Sequence, residues 1–282
     1  MSLDFQQQVI AEFRANAGRV GGPFEGARLL LLTTTGARSG APHTVPLGYL
    51  PDGGEQVLVI GSAGGSPRHP AWLHNLVADP RVMIEDGVFV SDALAVVLAG
   101  ADRDRAFARA VETDPGWSRY EKQSGRALPV VALRSVPGPP RFADGPAGAA
   151  GGAVLTRVHD AFRRELALIR AEVAATGASV GAQLRVNCLT LCAGLSNHHA
   201  GEDGALFPFL AEQRPELAPT LERLHDEHER IAALVAQLRE VVAGPSHPGQ
   251  LRREVDRLTA ELEGHLAYEE EQLVPALDAA TP

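Results

Sequence analysis

The chain changes its hydrophobic rhythm near its middle. Before residue 136, short runs rich in β-branched and aliphatic residues, punctuated by Gly and Pro, fall at 28–35, 44–50, 56–60, 82–85, 89–98 and 129–133. Runs of that length with turn residues between them predict strands of a small barrel or sandwich. Helical patterns interrupt them at the start of the chain, at 70–78 and at 103–111. After residue 152 strand patterns almost vanish, and apolar positions recur at helical spacing over four stretches near 153–175, 179–210, 216–243 and 248–278. Gly177, Pro215 and the Gly244 to Gly249 segment separate these stretches. Short connections between long helices imply antiparallel neighbours, hence an up-and-down four-helix bundle. Between the halves, VPGPPRFADGPAGAAGG is poor in large apolar side chains and reads as a linker. The expectation is an α+β two-domain chain: a barrel with flanking helices at 1–136, a Gly/Pro/Ala linker at 137–152 and a bundle at 153–282.

A length of 282 residues suits two domains, and 45% apolar with 22% charged residues is the globular range. Residues 1–140 carry 13 basic and 14 acidic side chains, the remainder 13 and 21. An acidic chain without a basic stripe has little grip on phosphate polymers, so nucleic acid is not an expected partner. No apolar run reaches the roughly 18 residues of a membrane span, and the N-terminal stretch lacks the pattern of a secretory leader. A cytoplasmic setting follows as the expectation. Cys188 and Cys192, four apart in a helical stretch, read as reduced core thiols.

The candidate chemistry begins with an internal echo. His198, Glu202, Asp203 and Pro208 repeat as His265, Glu269, Glu270 and Pro275, with the acids at +4 and +5 and the proline at +10. Residues four apart stack on one helix face, so each His and its +4 Glu can grip one metal or reach toward a second. His159 is followed by Phe162, Leu166 and Ile169, and His228 by Ile231, Val235 and Leu238, at the same offsets. Both histidines therefore lie on core-facing stripes, where an unpaired imidazole is costly. His225, one turn before His228, is either a further ligand or a surface residue of a polar stretch. His199 and Asp203 form a competing +4 pair; His198 and Glu202 are preferred because they keep register with His265 and Glu269. Imidazole suits iron and zinc, while carboxylates favour iron or manganese over copper.

Over 153–280 this pattern resembles the hemerythrin-like HHE cation-binding family. The resemblance implies two non-haem irons held by His159, His198, Glu202, His228, His265 and Glu269, with the two glutamates bridging and His225 as an additional candidate. Oxygen-carrying members tend to place two histidines four apart on the third helix. Here Leu224 stands four before His228, which departs from simple oxygen carriage.

In the first half, Leu29 to Gly40 runs from a strand into a Gly-flanked turn carrying Arg38 and Ser39, able to offer backbone N–H groups and a cation to an anion. A glycine-rich loop at Ser62, Gly64 and Gly65 and a Pro-Ala-Trp72-Leu-His-Asn75-Leu run follow. These residues resemble the deazaflavin-dependent nitroreductase family, the split β-barrel proteins that use coenzyme F420, over about residues 5–136. By that resemblance Arg38 and Ser39 meet the coenzyme's phosphate or polyglutamate tail, and Pro46, Ser62, Trp72 and Asn75 line the deazaflavin. Trp117 and Tyr120 would close over the substrate side. Ala37 and Ala63 stand where basic residues are usual, with Arg68 or His69 as the compensating candidates.

Together the resemblances imply an F420H2-dependent oxidoreductase coupled to a di-iron centre. Its partners would be oxygen, peroxide, nitric oxide or a small organic acceptor such as a quinone or nitro compound. The alternative is a non-enzymatic module that binds iron or a diatomic gas beside a weak ligand-binding barrel. Pairing through sheet edges would make a homodimer.

Overall fold

A computed structural model of the chain describes residues 3–54, 56–138, 141–143, 151–177, 179–245 and 247–280. Two compact units divide at Asp144 and Gly145.

The first unit opens with α1 (Leu3–Ala15), followed by β1 (Leu29–Thr35), β2 (Pro42–Pro51), β3 (Gln56–Ile60) and α2 (Ala71–Ala78). Then come β4 (Arg81–Glu85), β5 (Phe89–Val97), α3 (Gly100–Thr113), α4 (Gly116–Ser124), β6 (Val130–Ser135) and β7 (Arg141–Phe142). The strand order is β4-β1-β2-β3-β6-β5-β7, all antiparallel, and β4 also pairs with β5. That last pairing closes a six-stranded barrel and removes its open edges.

The unbroken Leu29-Leu30-Leu31-Leu32 run of β1 is explained by burial on both faces. Leu30 and Leu32 join Val59, Val131, Leu133 and the α2 residues Trp72, Leu73 and Leu76 in one cluster. Leu29 and Leu31 pack with Val9, Ile10 and Phe13 of α1. Helix α3 covers Leu58, Ile60, Val130 and Ala132 with Ala106, Phe107 and Ala110.

Two elements depart from the sequence expectation. Helix α4 was not anticipated, because GWSRYEKQS offers almost no apolar periodicity; it ends at Gly125 in the left-handed conformation. Within the stretch read as linker, Arg141 and Phe142 pair with Val90 and Phe89 of β5, and the two phenylalanine rings lie 5.3 Å apart. The linker residues 139–140 and 144–150 lie outside the described residues.

The second unit comprises α5 (Gly151–Ala175), α6 (Ala182–Gly201), α7 (Phe207–Gln213), α8 (Ala218–Ala243) and α9 (Pro248–Ala280). A single wide π-turn, Glu202–Leu206, joins α6 to α7. Helix α5 packs on α9 and α6, and α8 packs on α9 and α6, a closed ring of four neighbours. Two apolar layers fill the bundle. The larger contains Leu166, Ile169, Leu195, Ile231, Leu262 and Leu266; the smaller contains Leu155, Phe207, Leu210, Leu224 and Leu273. Cys188 and Cys192 form no disulfide and are buried in the larger layer, and burial pushes the Cys192 thiol up to about 11. Among the described residues no helix is long and apolar enough to cross a membrane.

Candidate metal centre and coenzyme face

Between the two apolar layers each long helix contributes polar groups. His159 comes from α5, His198 and His199 from α6, Glu202 from the π-turn, His228 from α8, and His265 and Glu269 from α9. Their positions follow from the helical repeat: each lies on the stripe that supplies Leu155 and Leu166, Leu195, Leu224 and Ile231, or Leu262 and Leu273 to the layers above and below. His159 and Glu269 are fully buried, and His199, Glu202, His228 and His265 nearly so.

The seven side chains form two adjoining groups, one of His159, His198, Glu202 and Glu269, the other of His199, His228 and His265. Glu202 stands between them, with Oε1 3.2 Å from His198 Nε2 and Oε2 3.6 Å from His228 Nε2. Glu269 Oε2 lies 3.4 Å from His159 Nε2 and 3.6 Å from His265 Nε2. Bonds of about 2.1 Å to one ion hold neighbouring ligand atoms roughly 3.0–3.4 Å apart, close to this spacing.

All five Nε2 atoms and both oxygens of each glutamate are buried without a hydrogen-bond partner among the described residues. Unmet polar atoms in a core cost about 1–3 kcal/mol each, and a cation satisfies them together. The donor set therefore fits metal ions, and its mixture of imidazole and carboxylate suits iron.

Protonation agrees. Burial, reinforced by neighbouring imidazoles, pushes His198 down to about 3 and His199 down to about 2, so both offer bare nitrogens at neutral pH. Burial and the facing charge of Glu269 push Glu202 up to about 10. Burial also acts upward on Glu269, but His159 and the other imidazoles hold it below its ordinary value. In the metal-free state the pair thus shares one proton, which an incoming cation would displace.

His199, weighed in the sequence as half of the less favoured pair, belongs to the cluster. His198 and His199 both face the cluster, one toward each group, so the choice between their two +4 pairs was unnecessary. The signal was the His-His doublet itself, whose members diverge by about 100° and can serve two neighbouring ions. Asp203, the other half of the competing pair, binds imidazoles rather than joining the groups: its Oδ1 accepts from Nδ1 of His228 at 3.0 Å and of His225 at 3.1 Å. His225, left open between ligand and surface residue, stands apart from the cluster. Its side chain is 56% exposed and lies outside both groups, because position 225 falls about 60° round the helix from His228.

In the first unit, Arg38 and Ser39 sit on the exposed turn between β1 and β2. The Ser39 hydroxyl lies 3.3 Å from His43 Nε2 and accepts the Ala41 N–H. Asn75 ties α2 to this turn, accepting from the Ala37 N–H and donating to the Thr34 hydroxyl. Pro46 is buried within β2, opposite Leu31. Ser62 leads into a loop in which Ala63, Gly64 and Gly65 all take left-handed φ values of 48°, 64° and 80°. An alanine held there stores strain, a feature found at ligand-binding loops.

Arg126 braces that loop, donating to the carbonyls of Gly61, Ser62, Ser66 and Arg68, and its buried Nη1 has no partner among the described residues. Arg68 and His69 are exposed on the same loop. Trp117 and Tyr120 share one edge of α4, their rings 6.2 Å apart. Trp72 is 6% exposed and packs within the barrel cluster, so its ring presents little open face. Arg126 was missed because nothing local marks an arginine that acts 60 residues away.

A closed antiparallel barrel followed by a helical bundle with an inward histidine–glutamate cluster defines a two-domain class of protein. The pattern of the F420H(2)-dependent quinone reductase family matches residues 6–135, and that of the hemerythrin HHE cation binding domain matches residues 151–280. The F420H(2)-dependent quinone reductase of Mycobacterium tuberculosis strain H37Rv is 37% identical over 127 residues, which are 44% of this chain and 85% of that protein. A putative F420H(2)-dependent quinone reductase of Mycobacterium bovis matches to the same extent. A solved F420-H2 dependent reductase is 36% identical, covers 38% of this chain and 94% of its own, and superposes with a TM-score of 0.35. The chain belongs to the F420H(2)-dependent quinone reductase family, and carries a hemerythrin HHE domain as its second half.

Proposed function

We propose that the chain is an F420H2-dependent oxidoreductase that reduces a quinone-class acceptor, and that its bundle holds two non-haem irons reacting with oxygen, peroxide or nitric oxide. The barrel's family supports the first part. The observation that carries the second is the set of buried, unpartnered Nε2 and carboxylate atoms arranged as two groups with Glu202 between them.

Reduced F420, when bound, supplies a hydride, and the chain's task is to orient it and exclude water. Arg38 and Ser39 would hold the anionic tail, with the exposed Arg68 adding charge where Ala37 and Ala63 lack it. Ser62 and the left-handed loop would border the ring, with Arg126 bracing that loop through its carbonyls. Asn75 fixes the Arg38 turn relative to α2. Trp117 and Tyr120 would bound the acceptor side. In the bundle, His159, His198, Glu202 and Glu269 would hold one ion and His199, His228 and His265 the other. The apolar layers exclude water, which strengthens every charge interaction between them.

Anaerobic mixing of the protein with reduced F420 and a soluble quinone should restore the oxidised coenzyme's visible band. Elemental analysis of the purified full chain should give about two irons per chain. Failure of the coenzyme to oxidise would refute the barrel assignment, and an iron content near zero after anaerobic loading would refute the bundle assignment.

A further inference from the structure

The second acids of the sequence echo, Asp203 and Glu270, belong to neither group of ligands, yet both are bonded to ligands. Glu270 Oε1 lies 2.9 Å from Nδ1 of His159, and Asp203 Oδ1 lies 3.0 Å from Nδ1 of His228. Glu227 repeats the contact from α8, its Oε2 3.1 Å from Nδ1 of His265. An ionised carboxylate only accepts, so in each pair Nδ1 carries the hydrogen and Nε2 is left as the bare donor facing the cluster. Each contact also crosses between helices. Asp203 reaches from the π-turn to α8, Glu227 from α8 to α9, and Glu270 from α9 to α5.

The carboxylates differ in their own supports. Glu270 accepts from Arg163 at 2.7 Å, and Glu227 accepts from Arg223 at 2.9 Å, with Arg230 3.6 Å away. Asp203 meets the exposed His225 and no arginine among the described residues.

We propose that Asp203, Glu227 and Glu270 are positioning residues of the metal centre, which fix the tautomer of three ligand histidines before metal arrives and raise their donor strength afterwards. The inference rests on the metal reading of the bundle. Carboxylate partners of ligand imidazoles orient the ring and increase its basicity, and their loss weakens metal binding about 10–100-fold. The arginine-braced pair, Glu227 and Glu270, holds its imidazoles in one orientation. Asp203 is braced only by another imidazole, so the His228 arm is the most easily released and the ion it holds is the quicker to leave.

Amide and alanine substitutions separate orientation from charge. In Asp203→Asn, Glu227→Gln and Glu270→Gln an amide oxygen still accepts from Nδ1–H but the anion is gone; the alanine versions lose both. The full-length chain and each variant would be titrated anaerobically with Co(II) alone, following its visible absorption and its release to a chelator. The expected result is unchanged helicity, two Co(II) per chain, an affinity about 10–100-fold lower in each amide variant and a shifted absorption band. Alanine variants should bind more weakly still. In the unsubstituted chain, release should be biphasic, and Asp203→Asn should accelerate only the faster phase. Affinities, bands and release rates equal to those of an exposed control, Glu229→Gln, would overturn the proposal. An unsubstituted chain that takes up no Co(II) would instead overturn the metal reading beneath it.

Discussion

The two halves of this chain solve the problem of an interior in opposite ways. The barrel closes through the β4–β5 pairing and fills its inside with Leu30, Leu32, Val59, Leu133 and the α2 residues Trp72, Leu73 and Leu76. The bundle buries five imidazoles and two carboxylates between its apolar layers, with their ligand atoms unmet. A greasy interior is complete as folded. A polar one of this kind is complete only with a guest, so stability and function become one quantity in the bundle and stay separate in the barrel.

The contrast is broken most forcefully by removing metal. Two thermal transitions should be resolved in the full chain, and iron at a thousandfold excess over its dissociation constant should stabilise the bundle's by about 4 kcal/mol. The barrel's transition should not move, which calorimetry with and without chelator would reveal. Leu58→Ala, at a fully buried barrel position, should do the reverse: a cost of about 2–5 kcal/mol on the barrel transition, with iron content unchanged.

Next in size is the pH response of the metal-free bundle. Below 6.5 the unfolded chain binds protons that His198 and His199 refuse until about 3 and about 2, so stability falls on acidification. Glu202 runs the other way: its proton, held up to about 10 in the fold and lost near 4.5 in the unfolded chain, makes stability fall as pH rises between those values. Melting temperatures of chelated protein should therefore peak at slightly acid pH, and iron should abolish the alkaline decline. A flat profile above neutrality without metal would contradict the Glu202 assignment.

On the barrel side, Arg126→Met removes the brace of the Gly61 to Arg68 loop. We expect the KM for reduced F420 to rise by about tenfold or more, as losing a hydrogen-bonded charge of about 1.5–3 kcal/mol implies. The smallest effect belongs to His225→Ala, which should leave the iron content at two per chain, whereas His199→Ala should lower it to about one. Elemental analysis reads both, and the reverse ranking would restore His225 to the ligands.

Much of this was legible in the residues. The change of rhythm near residue 136 separated barrel from bundle, and period-3.6 stripes through His159 and His228 pointed both inward. The His–Glu echo located the α6 and α9 contributions. Its limits were those of local pattern. His199 escaped because keeping register with His265 and Glu269 selects one helix face and leaves its neighbour aside. His225 was admitted because three-residue spacing keeps it near His228 on the cylinder while leaving it outside the seam. The packing of Trp72 into the barrel cluster was not legible, because sequence cannot distinguish a helix that rims a barrel from one that plugs it. Helix α4 and the α5 partner of Glu270 depend on tertiary contacts that no short window contains.

The wide turn at Glu202–Leu206 has a consequence for how the chain can change length. It stores one surplus residue, and Pro208, lacking an N–H, cannot help draw the ladder back to the ordinary repeat. Deleting one of the exposed Gly204 and Ala205 would let the turn relax to the ordinary repeat with the downstream faces kept, whereas inserting one more residue there would rotate everything downstream by about 100°. Phe207 would swing off the His228 ring it stacks on at 5.3 Å, and Leu210 would leave its layer. A solvent-facing segment that tolerates new side chains is thus a vernier that tolerates no new length.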